Sequence, residues 1–397
     1  MPRTIRRTWA HPNPDGLSRK DRASGTYAAF APDELGTDLP AIGKAASSAA
    51  EEALTALARL DERIGEAADR YLNHLLIRSE SISSSWIEGN RLSPKKLAIA
   101  ELLEQGDRVA LDVIGNVRAT EDAIAELSDP NRPITTADIE ALQHTIEPRL
   151  PRGLRTEQNW VGGPGNSPLR AQFVPPPESE VRRLVDDLAA FLTSTEGNPV
   201  VRAAIAHAQF EAIHPFIDGN GRTGRALIHT VLHRGDAVRN VLVPISTVFS
   251  HDTDAYIDGL TAFRSGPEAL DGWIISFAES LERAAAISIA LSHDVDVLDR
   301  TVLAEVIAYR RSLGKAPARP RAGSVVLAIL DDLSRAPVQK IASVVEVHRV
   351  SPAAAYRALT ELVDAGILSR TKNHKGKIVC FTADRHLATL ENADQPL

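Results

Sequence analysis

Cysteine and long apolar runs are scarce in this chain. These shortages argue against a disulfide-stabilised protein and against a membrane-spanning one. The only cysteine among the 397 residues is Cys380, so no disulfide can form within the chain, which is typical of proteins that fold in a reducing compartment. The apolar stretches, such as Ala203–Ala206 and Val241–Ile245, are all far shorter than the roughly 20 residues of a membrane span. No apolar run follows the basic N-terminus, as a signal peptide would require. We therefore expect a soluble, cytoplasmic protein.

The overall composition is that of a globular protein, but its charge is unevenly distributed. Apolar residues make up 43% and charged residues 24% of the chain, which is enough for a core and excludes a mostly disordered or fibrous chain. The net charge of −7 argues against a protein that coats nucleic acid with its whole surface. Residues 337–385 nevertheless hold eight Lys or Arg against four Asp or Glu, so this segment is +4 and the remainder is −11. The asymmetry indicates a separate basic domain near the C-terminus.

Apolar periodicity divides the chain into several regions. Residues 1–40 show no sustained apolar period, which predicts an extended arm. From about residue 41 to 292, apolar residues recur every three or four positions, which predicts helices. Within the helical part, residues 155–177 carry two short apolar stretches around a Gly- and Pro-rich tip, which predicts a β-hairpin. The predicted fold class is therefore mainly α. The predicted domains are an arm (1–40), an N-terminal helical region (41–130), a core (131–295), a linker helix (296–322) and a small C-terminal domain (323–397).

The C-terminal domain resembles a winged helix-turn-helix module. Its pattern predicts three helices, the second of them beginning at 338, followed by two strands, and the third helix carries Tyr356 and Arg357. These two side chains, with Lys372, Lys375 and Lys377 between the strands, would meet the phosphates and groove edges of DNA. A winged helix can equally serve as a platform for a homodimer or another partner protein, and +4 is a modest electrostatic footprint.

Residues 214–225 concentrate the groups that bind and move phosphate. They read His-Pro-Phe-Ile-Asp-Gly-Asn-Gly-Arg-Thr-Gly-Arg. Pro215 and the glycines predict a loop that ends at a helix N-terminus near Arg222. The backbone amides of residues 219–222 would therefore face an anion.

Four side chains complete this candidate site for phosphoryl or nucleotidyl transfer. Arg222 and Arg225 lie three residues apart on one side of the first helical turn, where two cations oppose the helix dipole and need an anionic partner. Asp218 adds a carboxylate that suits a Mg²⁺ ion shared with phosphates. His214 is the side chain able to exchange a proton near neutral pH.

The segment resembles the signature of the Fic (filamentation induced by cAMP) family, His-Pro-Phe-x-Asp-Gly-Asn-Gly-Arg-x-x-Arg, at every fixed position. Nine fixed positions make a chance match negligible. Similarity to the family extends to the segments His207–Ile213 and Arg155–Gly162, and to Tyr256, Leu260, Trp273 and Phe277. The resemblance covers about residues 25–290, and it implies a Fic-type helical core with a β-hairpin flap.

By this resemblance the protein transfers AMP from ATP to a Tyr, Thr or Ser hydroxyl of a target protein. His214 would deprotonate that hydroxyl, the buried Phe216 would anchor the loop, and Asp218 would hold Mg²⁺ on the phosphates. Tyr256 would stack on adenine or ribose, although an aromatic residue at helical spacing is as often part of the core. The flap near Val161 would pair with the backbone of the target. The implied ATP-binding residues are Gly219, Asn220, Gly221, Arg222, Thr223, Gly224, Arg225, Tyr256, Val161 and Gly162.

An inhibitory helix is also implied by the resemblance. Residues 81–90 read Ser-Ile-Ser-Ser-Ser-Trp-Ile-Glu-Gly-Asn, and Ser84 with Glu88 match the Ser and Glu of the family's inhibitory motif. Four residues apart on a helix, these two side chains share a face. Glu88 would pair with Arg225 and block productive placement of ATP. Because the run is rich in serine, Ser81 or Ser83 could take the place of Ser84 in this motif.

Three other functions stay open at the level of sequence. Glu88 could position a water, so that the enzyme removes AMP from a modified protein. The domain could transfer another phosphate-containing group, although the Gly219–Gly221 nest favours ATP. The protein could instead be a DNA-binding regulator whose core senses nucleotide, although a sensor has no need of the base His214. His207, Glu211 and His214 share a helical phase, but their spacing is not that of a zinc protease and does not favour zinc.

Overall fold

The structure is a computed structural model that describes residues 2–11, 22–68, 70–163, 167–372 and 378–393. The described chain is mainly helical, as its periodicity predicts. The helices are α1 (Lys44–Ala68), α2 (Arg70–Ile87), α3 (Pro94–Leu103), α4 (Arg108–Leu127), α5 (Thr136–Ile146), α6 (Glu178–Thr193), α7 (Pro199–Ile213), α8 (Asn220–Arg234), α9 (Ile245–His251), α10 (Thr253–Phe263), α11 (Leu270–Ser312), α12 (Val325–Asp331), α13 (Ile341–His348), α14 (Pro352–Asp364) and α15 (Asp384–Ala393). The strands are β1 (Arg3–Trp9), β2 (Gly25–Ala31), β3 (Val338–Gln339), β4 (Ser369–Lys372) and β5 (Ile378–Thr382).

The chain forms two compact units, each built from three segments. The first unit comprises Met1–Ala58, Arg118–Arg239 and Asp252–Glu282, and the second comprises Arg59–Val117, Asn240–His251 and Arg283–Leu397. The candidate loop at residues 214–225 lies wholly in the first unit. No described helix has both the length and the apolar character needed to cross a membrane.

Helix α7 is the centre of the first unit. Every residue of this helix except Glu211 is buried, as expected of a helix that is apolar nearly all round. Its N-terminus is fixed by the capping side chain of Asn198 and by Pro199 at the first helical position. Helices α6, α8 and α10 pack against it, and the indole of Trp273 donates a hydrogen bond to the carbonyl of Ala204 at 2.8 Å. The buried helix α7 therefore places its C-terminus at the start of the candidate loop.

The predicted N-terminal arm is an ordered β-hairpin in its described part. Strands β1 and β2 pair antiparallel from Arg3 opposite Ala31 to Trp9 opposite Gly25. The hairpin packs on the flap through an apolar cluster that includes Tyr27, Val174 and Trp160. Two of its arginines also reach the first turn of α6, where Arg7 binds Glu178 at 2.6 Å and Arg3 binds Glu180 at 3.0 Å. The arm is therefore part of the scaffold that supports the flap.

The flap contains less β-structure than its sequence predicts. One antiparallel bridge joins Val161 to Phe173, with the Val161 amide donating to the Phe173 carbonyl at 2.8 Å and the reverse bond at 3.1 Å. Gly162 and Gly163 follow at positive φ of 66° and 87° and turn the chain away. Residues 164–166, the predicted tip, lie outside the described residues. The described flap is therefore a loop closed by a single bridge.

The serine-rich part of α2 packs against α9 in the second unit. The hydroxyls of Ser79 and Ser83 lie 3.1 and 3.2 Å from the hydroxyl of Thr247. The buried carboxylate of Glu80 accepts hydrogen bonds from the amide and the hydroxyl of Ser246, in the first turn of α9, where a negative charge is favourable. Small polar residues thus fill a buried helix interface.

The C-terminal elements follow the predicted order with two additions, strand β3 and helix α15. Strand β3 occupies Val338–Gln339 and pairs with β5, so the helix predicted to begin at 338 begins instead at Ile341. The three strands form an antiparallel sheet in the order β3-β5-β4, beside helices α12, α13 and α14. The assignment of this domain as a winged helix-turn-helix stays a prediction. Lys375 and Lys377 lie outside the described residues, and the predicted linker helix begins inside α11, which continues to Ser312.

Candidate active site

His214 ends the central helix in an unusual backbone conformation. It caps the C-terminus of α7 at φ 48° and ψ 61°, in the left-handed region, which a residue other than Gly rarely adopts. Pro215 explains why the helix stops here, since a residue before proline is disfavoured in the right-handed helical region. The side chain is 19% exposed, and its Nδ1 lies 3.8 Å from Oε2 of Glu211. The imidazole is therefore accessible and lies beside a carboxylate that can orient it.

Asn220 closes the loop that follows His214. Its side-chain oxygen accepts a hydrogen bond from the Phe216 amide, and its nitrogen donates to the Phe216 carbonyl, both at 2.9 Å. Phe216 is 1% exposed and lies 6.3 Å from the ring of Phe210, as its predicted anchoring role requires. The Asn220 side chain is thus engaged within the loop, and its implied contact with ATP stays a prediction.

Helix α8 begins at Asn220, two residues earlier than its sequence predicts. Gly219 is the N-cap with φ +80°, and a Cβ at this position would lie 3.2 Å from Cγ of Glu147. The amide of Thr223 is the first to bond back within the helix, to the Gly219 carbonyl at 3.0 Å. The amides of residues 220–222 therefore belong to the first turn, which has no intrahelical acceptors and attracts anions.

Asp218 stands in front of this helix N-terminus. Its side chain is exposed, one carboxylate oxygen accepts the Gly219 amide at 2.7 Å, and its carbonyl accepts the Gln143 side chain at 3.0 Å. Among the described residues, no three His, Cys, Asp or Glu side chains converge to form a metal site. One carboxylate beside an anion site fits Mg²⁺, which binds through one or two carboxylates together with substrate phosphates.

Arg222 is held by a carboxylate that the sequence analysis did not identify. Its Nη2 donates to Oε1 of Glu147, and both side chains are buried. Burial raises the pKa of Glu147, but the hydrogen bonds and charges of Arg222 and Arg149 outweigh it and hold this pKa below its usual value. The Nε and Nη1 atoms of Arg222 are buried and have no hydrogen-bond partner among the described residues. Two donors on a buried cation suit an anionic ligand.

The remaining signature residues lie in the interface between α7 and α8. The Thr223 hydroxyl donates to the Gly219 carbonyl at 2.8 Å. A Cβ at Gly224 would lie 2.7 Å from Glu211 Oε1 and 2.9 Å from a Phe210 ring carbon, so this glycine allows the two helices to approach closely. Arg225 is buried. These positions shape the support of the loop, and any contact that they make with ATP stays a prediction.

Tyr256 lies in the core of the first unit. Its hydroxyl is 2.8 Å from Nε2 of His207, and the two rings stack with centroids 5.9 Å apart. Burial, together with the charge of Arg225, lowers the pKa of His207 to about 3, so this imidazole is neutral at pH 7. The arrangement agrees with the core role that the sequence left open for Tyr256, and stacking on adenine stays a prediction.

Glu88 and Ser84 lie in the second unit, whereas Arg225 lies in the first. Helix α2 ends at Ile87, so Glu88 is the first residue after the helix rather than part of it. Ser84 is buried within α2. The predicted pairing of Glu88 with Arg225 therefore stays a prediction.

Comparison with known proteins identifies the domain that carries the loop. Residues 133–232 match the Fic/DOC family, and this range holds α5, the flap, α6, α7 and nearly all of α8. The chain contains a Fic domain. It is 30% identical over 178 residues to the protein adenylyltransferase Fic of Aedes aegypti, a match that covers 42% of this chain and 33% of that protein. It is 32% identical over 139 residues to a probable protein adenylyltransferase of Aquifex aeolicus, covering 35% and 37% of the two chains.

Solved structures agree with the Fic fold. A Fic family protein from Desulfovibrio desulfuricans superposes with a TM-score of 0.52 at 18% identity and covers 87% of this chain and 98% of its own. A Fic domain containing signaling protein from Bacteroides thetaiotaomicron gives 0.50 at 19% identity, covering 61% and 96%. At these identities the likeness concerns the fold. The chain spans only about a third of the length of the adenylyltransferases named above.

Proposed function

We propose that this Fic domain is a protein adenylyltransferase, which transfers AMP from ATP to a hydroxyl side chain of a target protein. The observation that carries the proposal is the anion site at the N-terminus of α8, directly after the loop that begins with His214. There, two buried nitrogens of Arg222 have no hydrogen-bond partner within the part of the chain that the structure describes. The named adenylyltransferases of Aedes aegypti and Aquifex aeolicus support the same chemistry.

The proposed reaction assigns each group a separate task. His214 takes the proton from the target hydroxyl, whose oxygen attacks the α-phosphorus of ATP as the bond to pyrophosphate breaks. The amides of residues 220–222 and the guanidinium of Arg222 stabilise the charge that develops on the phosphates. Asp218 is the residue that would hold Mg²⁺, which supplies further neutralisation of phosphate charge when bound. Most of the rate enhancement then comes from placement and electrostatics.

The proposal includes autoinhibition by Glu88. A carboxylate that pairs with Arg225 would remove a cation from the outer phosphates and misplace the α-phosphorus. Replacing Glu88 with glycine would release this inhibition. The same glutamate would position a water for the reverse reaction, so both directions need to be measured.

The test is the transfer of label from α-³²P-ATP with Mg²⁺, comparing the natural chain, Glu88→Gly and Glu88→Gly with His214→Ala. We expect protein-bound label that is strong only in Glu88→Gly and absent from the double variant. A parallel reaction with γ-³²P-ATP should leave the protein unlabelled, since pyrophosphate leaves. If no variant is labelled while ATP still binds, adenylyl transfer is wrong, and release of AMP from a modified protein or use of another donor becomes the better explanation.

DNA binding by the C-terminal domain is a second proposed function. The supporting observation is the surface of α14, where Tyr356 is 48% exposed and Arg357 is exposed beside it. We expect a fluorescent duplex to bind with an affinity that falls with salt and that Arg357→Ala weakens. Binding that is unchanged in Arg357→Ala would favour a protein partner or a homodimer at this surface.

A further inference from the structure

Arg155 connects the base of the flap to the end of the central helix. Its buried guanidinium donates to the carbonyl of His214 at 2.9 Å and to that of Ile213 at 3.4 Å. It also donates to the carbonyls of Glu157 and Pro176, at 3.1 and 2.6 Å, one on each leg of the flap. Each of these acceptors is a backbone carbonyl, so the contacts fix the path of the chain.

The same segment binds the loop at two further points. The backbone amide of Arg155 donates to the carbonyl of Pro215 at 2.9 Å. The side-chain nitrogen of Asn159 donates to the carbonyls of Phe216 at 2.9 Å and His214 at 3.3 Å. The three consecutive carbonyls that follow α7 are therefore all held from the flap side.

The chemistry of a helix C-terminus explains why an arginine stands here. The last carbonyls of α7 have no intrahelical donors and lie at the negative end of the helix dipole. Burial lowers the pKa of Arg155 to about 10, opposed by the charges of Glu178 and Tyr27, so the guanidinium is charged at neutral pH. A planar fork of donors can reach several carbonyls in different directions, whereas the ammonium of lysine offers its donors from one point.

We propose that Arg155 is a positioning residue for adenylyl transfer: it holds the strained backbone of His214 in register with the flap. The inference rests on the proposed function, in which His214 is the base and the flap presents the target. Without Arg155, the position of the His214 imidazole relative to the target hydroxyl would no longer be fixed. A shift of about 1 Å between reacting groups lowers a rate by about 100-fold.

Arg202 provides a matched control within the same unit. It is also buried, and its guanidinium also donates to backbone carbonyls, those of Thr37, Phe191 and Glu196. None of these acceptors belongs to the loop or to the flap. Arg202→Lys should therefore remove a comparable number of structural hydrogen bonds and leave the position of His214 unchanged.

The experiment measures kcat and KM for ATP in the Glu88→Gly background, with Arg155→Lys and Arg202→Lys compared at equal folded fractions. We expect Arg155→Lys to lower kcat by about 10- to 100-fold with KM for ATP nearly unchanged, and Arg202→Lys to keep kcat. Asn159→Ala, which leaves Arg155 in place, should lower kcat by a smaller factor and serves if Arg155→Lys does not fold. Equal losses of kcat in the Arg155 and Arg202 variants would show that Arg155 is merely structural and overturn the proposal.

A readout independent of activity separates this inference from the proposed function. In protein labelled with ¹³C at histidine Cε1, the resonance of His214 is assigned by its loss in His214→Ala. We expect it to shift in Arg155→Lys and to stay in place in Arg202→Lys. If Glu88→Gly transfers no label at all, adenylyl transfer is wrong while the resonance still tests the positioning. A His214 resonance that is unmoved in Arg155→Lys would overturn the positioning itself.

Discussion

Glu147 and Arg222 form a buried ion pair that braces the anion site from the side of α5. Their Oε1 and Nη2 atoms are 2.5 Å apart, and the side chains are 5% and 3% exposed. Glu147 also lies beside Gly219, the N-cap of α8, where a Cβ atom would be 3.2 Å from Cγ of Glu147. The carboxylate thus restrains one nitrogen of the guanidinium, while Nε and Nη1 of Arg222 have no hydrogen-bond partner among the described residues.

Glu147→Gln should therefore destabilise the protein strongly. The change keeps the shape of the side chain but leaves the buried charge of Arg222 without its counter-ion, which costs about 3 to 5 kcal/mol. Urea unfolding at pH 7 measures the loss. Asp236→Asn is the control, since Asp236 pairs with Arg239 on the surface and such pairs contribute less than about 1 kcal/mol. Similar losses in the two variants would contradict a structural role for the buried pair.

Gly224→Ala should destabilise the packing of α7 on α8. The new methyl group would lie under 3 Å from Glu211 and Phe210, and such overpacking costs about 1 to 3 kcal/mol. Gly272→Ala is matched to it, because Gly272 is also helical but has no atom within 4 Å of its Cβ position. There alanine should stabilise by about 0.5 kcal/mol or more, through helix propensity. Thermal unfolding of both variants gives the comparison, and a neutral Gly224→Ala would argue against close packing at this point.

His207 should make the protein less stable in acid. Its pKa falls from 6.5 in the unfolded chain to about 3 in the folded protein, so between these values the unfolded chain binds a proton that the folded protein does not. Stability therefore decreases as the pH falls below 6.5, by up to about 1.4 kcal/mol per pH unit. Unfolding free energies of His207→Gln, measured from pH 6.5 to 4, should depend less steeply on pH than those of the natural chain.

Tyr256→Phe is the control for that experiment, because it removes the hydrogen bond to His207 and keeps the titrating imidazole. Its pH dependence should match that of the natural chain. If the pH dependence of the unfolding free energy is reduced equally in His207→Gln and Tyr256→Phe, the hydrogen bond, and not the titration of His207, sets the acid sensitivity.

Tyr256→Phe also tests whether the hydroxyl of this tyrosine binds ATP. Because its hydroxyl is engaged with His207, the variant should lose about 1 kcal/mol of stability and leave KM for ATP within about twofold. Steady-state kinetics in the Glu88→Gly background measures KM. A tenfold rise in KM without loss of stability would instead place the hydroxyl on the nucleotide.

The residues of the candidate loop were predictable from the sequence, whereas the distant residues that hold them in place were not. The loop, its anion-binding helix and His214 lie within twelve residues, so spacing alone brings them together. Glu147 is 75 residues from Arg222, and Arg155 is 59 residues from His214. Only the packing of α5 and the flap against the loop creates these pairs, and no linear pattern encodes that packing.

Secondary structure was mispredicted where tertiary pairing overrides local preference. Val338 reads as the start of a helix but pairs with Thr382 of β5, because a short strand completes the sheet. In the flap the predicted hairpin forms with one antiparallel bridge among the described residues, since its glycines and prolines interrupt a longer ladder.

The left-handed backbone of His214 has a consequence for how this protein can change. Glycine would adopt that conformation at lower free energy, by about 1 to 2 kcal/mol, so the residue that we propose as the base also weakens the fold. Variants selected for heat resistance alone should therefore replace the residue at position 214. We expect such variants to gain thermal stability and to lose adenylyl transfer. Only selection for transfer retains a histidine there.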